Sequence, residues 1–300
     1  MRLIRFLPLT LLLLVVGATP AEARNGYDVE DIVKESFKVR PGGTLYLEMD
    51  YGNIDVVVGD GDVVEIEMIR TARVNSEAEA KKIFEEYHEY SFDESRGDVT
   101  IESRYANKRN GWSKWGKKNR FKITMKIAVP AKYSVDFETG AGNIEIGDLG
   151  GEINGRTGAG NIFVGAVDGI VDITSGAGNI DIIGAEGNVE VNTGAGNIDL
   201  KDVTGAVRAN TGAGNLTASI TSQPEKDSKL ETGAGNVTVY LSRKAGVFVD
   251  AMASMGSATC EYPLKIQGKW MTKSFEGEVN GGGPDLFMRS GVGNVTLLRD

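Results

Sequence analysis

Between Thr139 and Val239 the apolar positions fall in a register of nine. Glycine stands at 142, 151, 160, 169, 178, 187, 196, 205 and 214. Two positions after each comes an apolar residue: Ile144, Ile153, Ile162, Val171, Ile180, Val189, Ile198, Val207 and Leu216. Two further on the residue is usually apolar again, as at Ile146, Val164, Ile173, Ile182, Val191, Leu200 and Ala209. This alternation predicts a strand of about five residues with every second side chain turned inward, bounded by a glycine turn. Over it runs a period of 18, set by Thr-Gly-Ala-Gly-Asn at 139–143, 157–161, 193–197 and 211–215, with Ser175 opening the copy at 175–179. One more copy, 232–236, follows after 21 residues. A fixed period of this size predicts a solenoid. Two units per turn imply an all-β, parallel β-solenoid of 18-residue, two-strand coils, with two facing sheets stacked at about 4.8 Å. No coil can bury its own apolar face, so each depends on its neighbours.

The turn positions carry the rest of the pattern. Gly142, Gly160, Gly178, Gly196, Gly214 and Gly235 stand where a turn needs positive φ or has no room for a Cβ. Asn143, Asn161, Asn179, Asn197, Asn215 and Asn236 follow them, and stacked asparagines predict a ladder along the turn edge. The column Thr139, Thr157, Ser175, Thr193, Thr211 and Thr232 is read as hydroxyls bonded to turn backbone. It is a single column, without the paired Thr-x-Thr ranks of an ice-ordering face.

Ahead of the coils, residues 24–138 predict a β-rich segment with one helix. Val39 to Val58 reads as two strands separated by Tyr51-Gly52-Asn53, and Val63 to Arg73 as a third. Ser76-Glu77-Ala78-Glu79 fits a capping box. Ala80, Ile83, Phe84 and Tyr87 form an apolar stripe, so a helix is expected at about 76–90, with His88 on it. Val99 to Arg104 and Phe121 to Val129 read as a hairpin. The solenoid is expected over 139–300, with looser coils from about 240. Gly246-Val247-Phe248-Val249, Asp285 to Met288 and Gly293 to Leu297 look like strands. The tract Met252–Glu278 does not fit the register and is read as an excursion or end cap.

Residues 1–23 have the form of a secretory signal peptide: Arg2 and Arg5, an apolar run from Leu7 to Val16, and Ala21-Glu22-Ala23 as a cleavage site. The expected product is exported to the periplasm or cell surface. Cleavage near Ala23 removes Arg2, Arg5 and Glu22 and leaves 31 basic against 41 acidic residues, a net charge of −10. With that balance nucleic acid is not an expected partner. Cys260 is the single cysteine, so no intramolecular disulfide is available, and it is read as a small packed residue.

The charge is unevenly placed. From Arg104 to Lys122 there are eight basic residues and no acidic one, with Trp112 and Trp115 inside the run. Trp112, Trp115, Lys114, Lys117, Lys118 and Arg120 are the candidate binding residues, since cations interleaved with amphipathic rings suit an anionic envelope surface. Anionic lipid, lipopolysaccharide phosphate and acidic glycan all have that chemistry, and a protein partner of the envelope is the other expectation. Trp270 has the same company in Lys265, Lys269 and Lys273. The bland alternative is a solvated loop whose tryptophans fold back on the protein.

Catalytic and metal chemistry find little footing. In calcium-binding nine-residue repeats an aspartate follows the turn glycine by two; here that place is held by Ile144, Ile162, Ile180, Ile198 and Leu216, which offer no oxygen. One histidine excludes a histidine-based triad or metal cluster. Asp181 with Asp199, and Asp172 with Glu190, are expected to stack one coil apart as a wet acidic face. A carbohydrate-active enzyme using such carboxylates is the alternative reading, although the regular turns look too short to wall a cleft. No cofactor is expected.

Several motifs together resemble the bacterial putative-adhesin family of exported β-solenoid domains. They are Pro41-Gly42-Gly43-x-Leu45, Gly52-Asn53-Ile54, Ile127-Ala128-Val129-Pro130, the Thr-Gly-Ala-Gly-Asn-Ile coils and the closing Gly291-Val292-Gly293-Asn294-Val295-Thr296-Leu297. The resemblance runs from about Val29 to the end. It implies a β-solenoid, a cell-envelope setting and a non-enzymatic scaffold or interaction role, and it brings no catalytic motif.

Overall fold

The computed structural model describes residues 13–16, 26–106, 121–268 and 272–300. The first part of the chain forms β1 (Leu13–Val16), β2 (Tyr27–Lys38), β3 (Thr44–Met49), β4 (Asn53–Val58), β5 (Val63–Val74), α1 (Glu77–Tyr87), β6 (His88–Ser95), β7 (Asp98–Tyr105) and β8 (Phe121–Val129). The regular coils follow as β9 (Ser134–Thr139), β10 (Ile144–Ile146), β11 (Ile153–Thr157), β12 (Ile162–Val167), β13 (Val171–Ser175), β14 (Ile180–Ala185), β15 (Val189–Ala195), β16 (Ile198–Val203), β17 (Val207–Ala213), β18 (Leu216–Ile220), β19 (Ser228–Ala234) and β20 (Val237–Leu241). The last are β21 (Val247–Met255), β22 (Ala258–Cys260), β23 (Lys273–Val279), β24 (Asp285–Val292) and β25 (Val295–Arg299).

Odd and even strands of the coils go to different sheets, as a two-strand coil requires. One sheet has the order β1-β2-β5-β8-β4-β10-β12-β14-β16-β18-β20-β25-β22, the other β23-β21-β24-β19-β17-β15-β13-β11-β9-β3-β7-β6. Pairing is parallel and in register by 18: Ile162 faces Ile180, which faces Ile198. All three side chains are buried between the sheets. Gly155 interrupts the inward apolar series for a packing reason: a Cβ there would lie 2.0 Å from the ring of Phe137, which fills the space from the next coil.

The two glycine sets have different causes. Gly178 has φ 135°, and a Cβ on it would come within 2.0 Å of the Gly160 carbonyl oxygen. Gly169, on the opposite edge, lacks the positive φ and is required by closeness alone, 2.4 Å from the Gly151 carbonyl oxygen. The asparagine ladder is continuous. Each backbone N–H donates to the Oδ1 of the asparagine one coil back, from Asn143 onto Asn53 (3.1 Å) to Asn294 onto Asn236 (2.9 Å). Ser257 closes it with a bond from its N–H to Asn294 Oδ1. Threonine hydroxyls do bond to turn backbone: Thr211 to the Gly196 carbonyl, Thr232 to that of Gly214, and Ser290 to that of Gly235.

At both ends the order along the chain departs from the order in space. The coil β7/β8 lies outside β3/β4, and the chain then returns to build β9/β10 on the inner side. At the other end β21/β22 is laid down first, and β24/β25 inserts between it and β19/β20. The tract Met252–Glu278 is therefore partly regular coil. β21 and β22 belong to the stack, and β23 turns back antiparallel on β21 as the cap.

Two further expectations need correction. Val99 to Arg104 and Phe121 to Val129 do not form a hairpin: β7 and β8 are the two sides of one coil and lie in opposite sheets. The hairpin partner of β7 is β6, which the sequence pattern did not reveal because seven of its eight residues are at least partly exposed. His88 is not a helical residue either. The helix ends at Tyr87, and His88 begins β6 with its ring buried. The helix start is as expected, with Ser76 Oγ accepting from the Glu79 N–H at 3.2 Å. Its stripe of Ala80, Ile83 and Phe84 covers the end of the stack between β5 and β6.

Candidate functional site

The expected binding residues Trp112, Trp115, Lys114, Lys117, Lys118 and Arg120 lie outside the described residues, as does Trp270. Their attachment points are described. The segment leaves β7 after Ala106 and enters β8 at Phe121, so it occupies the place that Thr-Gly-Ala-Gly-Asn takes in a regular coil. It is an enlarged turn of the outermost complete coil, on the same edge as the asparagine ladder.

An aromatic cluster roots it. Tyr51 meets Tyr105 with ring centroids 6.4 Å apart, Tyr105 meets Phe121 at 5.3 Å, and Phe121 meets Phe84 at 5.8 Å and His88 at 6.0 Å. Tyr90 and Phe92 continue it along β6. Sequence reasoning missed this group. Its one signal was Tyr51-Gly52-Asn53, where tyrosine replaces the alanine of the repeat. Burial, and then Tyr51 and Asp50, push the Tyr105 phenol up to about 12. Around the root the charge is acidic: Glu102, Glu48 and Glu138 stand in register on three strands. Arg104 is bound by Glu48 at 2.7 Å, with Glu102 at 3.7 Å. Arg104 is thereby neutralised, and any attraction for an anion must come from the remainder of the run, Lys108 to Lys122.

His88 is a structural member of the cluster. Its Nε2 shares a 2.9 Å hydrogen bond with Ser103 Oγ, while its Nδ1 is buried without a hydrogen-bond partner among the described residues. Burial, and secondarily the Arg70 charge, lower its pKa from 6.5 to about 4. The unfolded chain takes up this proton near pH 6.5, the folded chain only near 4. The histidine's contribution is therefore full above pH 6.5 and is lost as pH falls toward 4. At pH 4.5 the loss should reach about 2 to 3 kcal/mol. Urea unfolding of wild type and His88→Phe at pH 7.5 and 4.5 checks this: the wild type should lose that much more stability than the variant, and equal losses would refute it.

The acidic columns stack as expected, Asp181 beside Asp199 and Asp172 beside Glu190. Burial, followed by Asp199, raises the pKa of Asp181. Among the described residues no group of three or more His, Cys, Asp or Glu side chains is placed to hold a metal ion. The second column does lie in a groove, of about 260 Å³, shared with Arg208, Lys226 and Asp227. Lys226 and Asp227 come from the extra residues of the 21-residue coil, so here a turn is long enough to form a wall. A larger concavity of about 830 Å³ lies across β2, β5, β8 and β4, lined by Asp55, Val57, Lys126 and the ion pair Lys34–Glu67 (2.6 Å) among others. Cys260 is half-buried on β22, and burial pushes its thiol pKa up. No helix among the described residues is long and apolar enough to cross a membrane.

A family model described as Toastrack DUF4097 matches residues 47–283. Among solved structures, the chain is similar to a putative adhesin from Bacteroides fragilis NCTC 9343, at 12% identity over 89% of this chain and 97% of that one, with a TM-score of 0.50. It also matches a putative lipid binding protein from Parabacteroides distasonis ATCC 8503, at 11% identity over 88% of this chain and 96% of that one, with a TM-score of 0.36. At these identities the first likeness bears on the fold alone. No curated protein matches the chain.

Proposed function

This chain belongs to the Toastrack DUF4097 family, and from that premise we propose that it is an exported, non-enzymatic protein of the cell envelope. It acts as an adhesin-like scaffold whose Trp/Lys/Arg loop docks on an anionic envelope surface. The observation that carries this reading is the position of the loop, as the one greatly enlarged turn at the terminal coil of a rigid stack. Ten coils, at about 4.8 Å per step, make a body on the order of 45 Å long. The columns Asp181–Asp199 and Asp172–Glu190 lie three to five steps from the loop coil, beyond the screening length of about 8 Å at physiological salt. A net-acidic protein can in this way present a basic tip without its own charge cancelling the attraction. Each Lys or Arg near an anionic membrane contributes about 1 kcal/mol, so a few engaged cations suffice for reversible attachment.

The names of the similar structures, an adhesin and a lipid binding protein, accord with surface attachment but belong to those proteins. The groove over Asp172 and Glu190 also holds Arg208 and Lys226, a balance of charge that suits contact with a partner better than bond cleavage. The test is tryptophan fluorescence of the exported form, titrated with anionic vesicles, neutral vesicles and lipopolysaccharide. A blue shift should come with the anionic surfaces alone and weaken at least tenfold when salt rises from 0.05 to 0.5 M, by about the screening expected. It should vanish in Trp112→Ala/Trp115→Ala, which keeps Trp270. An equal shift on neutral vesicles, or none on any surface, would overturn the docking role.

A further inference from the structure

The outer edge of β2 is the least regular boundary of the stack. β2 pairs with β5 along its whole length, from Tyr27 opposite Val74 to Lys38 opposite Val63. On its other side it meets only β1, antiparallel, with Leu13 opposite Ile32 and Val16 opposite Val29. β1 is the apolar sequence Leu-Leu-Val-Val, inside the segment whose cleavage is proposed above, and it pairs with no other strand. Beside the same edge, beneath α1, lies a cavity of about 160 Å³. Val29, Ala80 and Phe84 give it an apolar lining, and the ion pair of Arg70 with Asp31 forms its polar side. Directly opposed residues of an antiparallel pair share a face. A strand in the β1 register therefore presents the positions opposite Val29 and Asp31 to the cavity side. A sheet edge supplying backbone hydrogen bonds, with a pocket for alternate side chains, is the arrangement by which proteins capture extended peptides.

We propose that the β2 edge with the cavity under α1 is a strand-acceptor site, filled by the chain's own Leu13–Val16 before leader removal and afterwards by an extended apolar segment of another polypeptide, antiparallel to β2. The occupant's chemistry is read from the segment seated there: four consecutive apolar residues in extended form. Outward charges on β2, Asp28, Lys34 and Lys38 among them, keep the vacant edge soluble and resist pairing with a random strand. The proposal rests on the export reading for the vacating of the edge, but not for the existence of the site.

The chain from Arg24 onward keeps every strand pairing except that of β1, which makes it the form to test. A lysine-flanked Leu-Leu-Val-Val peptide is added, and amide hydrogen exchange is read along β2. Exchange at residues 29–32 should slow at least tenfold. The same peptide N-methylated at alternate residues should bind at least tenfold more weakly, having lost its edge hydrogen bonds. Ala80→Met, which narrows the cavity, should weaken binding while its thermal melt reports that the fold persists. Unchanged exchange at saturating peptide, equal binding of the N-methylated peptide, or equal binding by the chain that retains residues 1–23 would each overturn the site. A concentration-dependent dimer with β2 protected in the absence of peptide would overturn the choice of occupant in favour of a second copy. Sequencing the amino terminus of the exported protein tests leader removal separately: an uncleaved leader alongside a peptide-binding 24–300 chain would sink the export reading and leave the acceptor site standing.

Discussion

Ile180→Asp is expected to abolish the cooperative thermal transition of the solenoid. Ile180 is fully buried, in register between Ile162 and Ile198 on the inner face of its sheet. An aspartate there loses the burial of the isoleucine, about 2 to 5 kcal/mol for large-to-small changes, and adds the cost of an unpaired charge among apolar neighbours. Together these reach the 5 to 15 kcal/mol that holds a whole domain together. The damage also spreads, because a coil's stability lies in its interfaces and one failed coil deprives both neighbours of a partner. Asp181→Asn is the matched control: it sits one residue away on the outer face, where burial and Asp199 already disfavour the charge. Circular dichroism melts should show the control near wild type and Ile180→Asp without a cooperative transition. A melt of Ile180→Asp as hot and as sharp as wild type would refute the account of the core.

The reason the coils were legible is that their determinants are local and repeated. A glycine, an asparagine and two inward apolar residues recur at fixed spacing, and each recurrence has the same structural cause. Strands β3 to β5, the capped helix and the stacked acid pairs were legible for similar reasons. What failed to show was whatever depends on which coil lies beside which. Nothing near Val99 or Phe121 says that those strands belong to opposite sheets, because an alternating strand reads the same in a hairpin as in a coil. β2 and β6 were invisible for a different reason: as end strands they mix charges into the alternation, with Asp31 buried by its pairing to Arg70 rather than excluded from the core. The candidate loop was legible by charge and tryptophan content. Its root in Tyr51, Tyr105, Phe121 and His88 was not, since those residues are far apart in sequence and meet only because β7/β8 is laid outside β3/β4.

The same disorder between sequence and space makes the end of the chain unusually important. In a solenoid built strictly in order, removing the last strands trims one terminal coil and leaves the rest. Here Asp285–Asp300 carries β24 and β25, which lie between β19/β20 and β21/β22. The insertion supplies Leu286, Met288, Val295 and Leu297 to the core, and its Asn294 bridges the ladder from Asn236 to Ser257. Arg289 adds an ion pair to Asp250 on β21. A chain ending at Pro284 should therefore lose β21, β22 and β23 as well as its last 16 residues, because they would be left without the strands they pair with. Hydrogen exchange should find amides 247–260 and 273–279 unprotected, while those of β9 to β16 remain slow. If β21 kept native protection in the truncated chain, it would have to pair directly with β19, and the inserted coil would not be the element that joins the cap to the stack. Sixteen residues at the carboxyl terminus thus determine whether about fifty residues stay folded, a non-local dependence that supports the cap against unravelling from its own end.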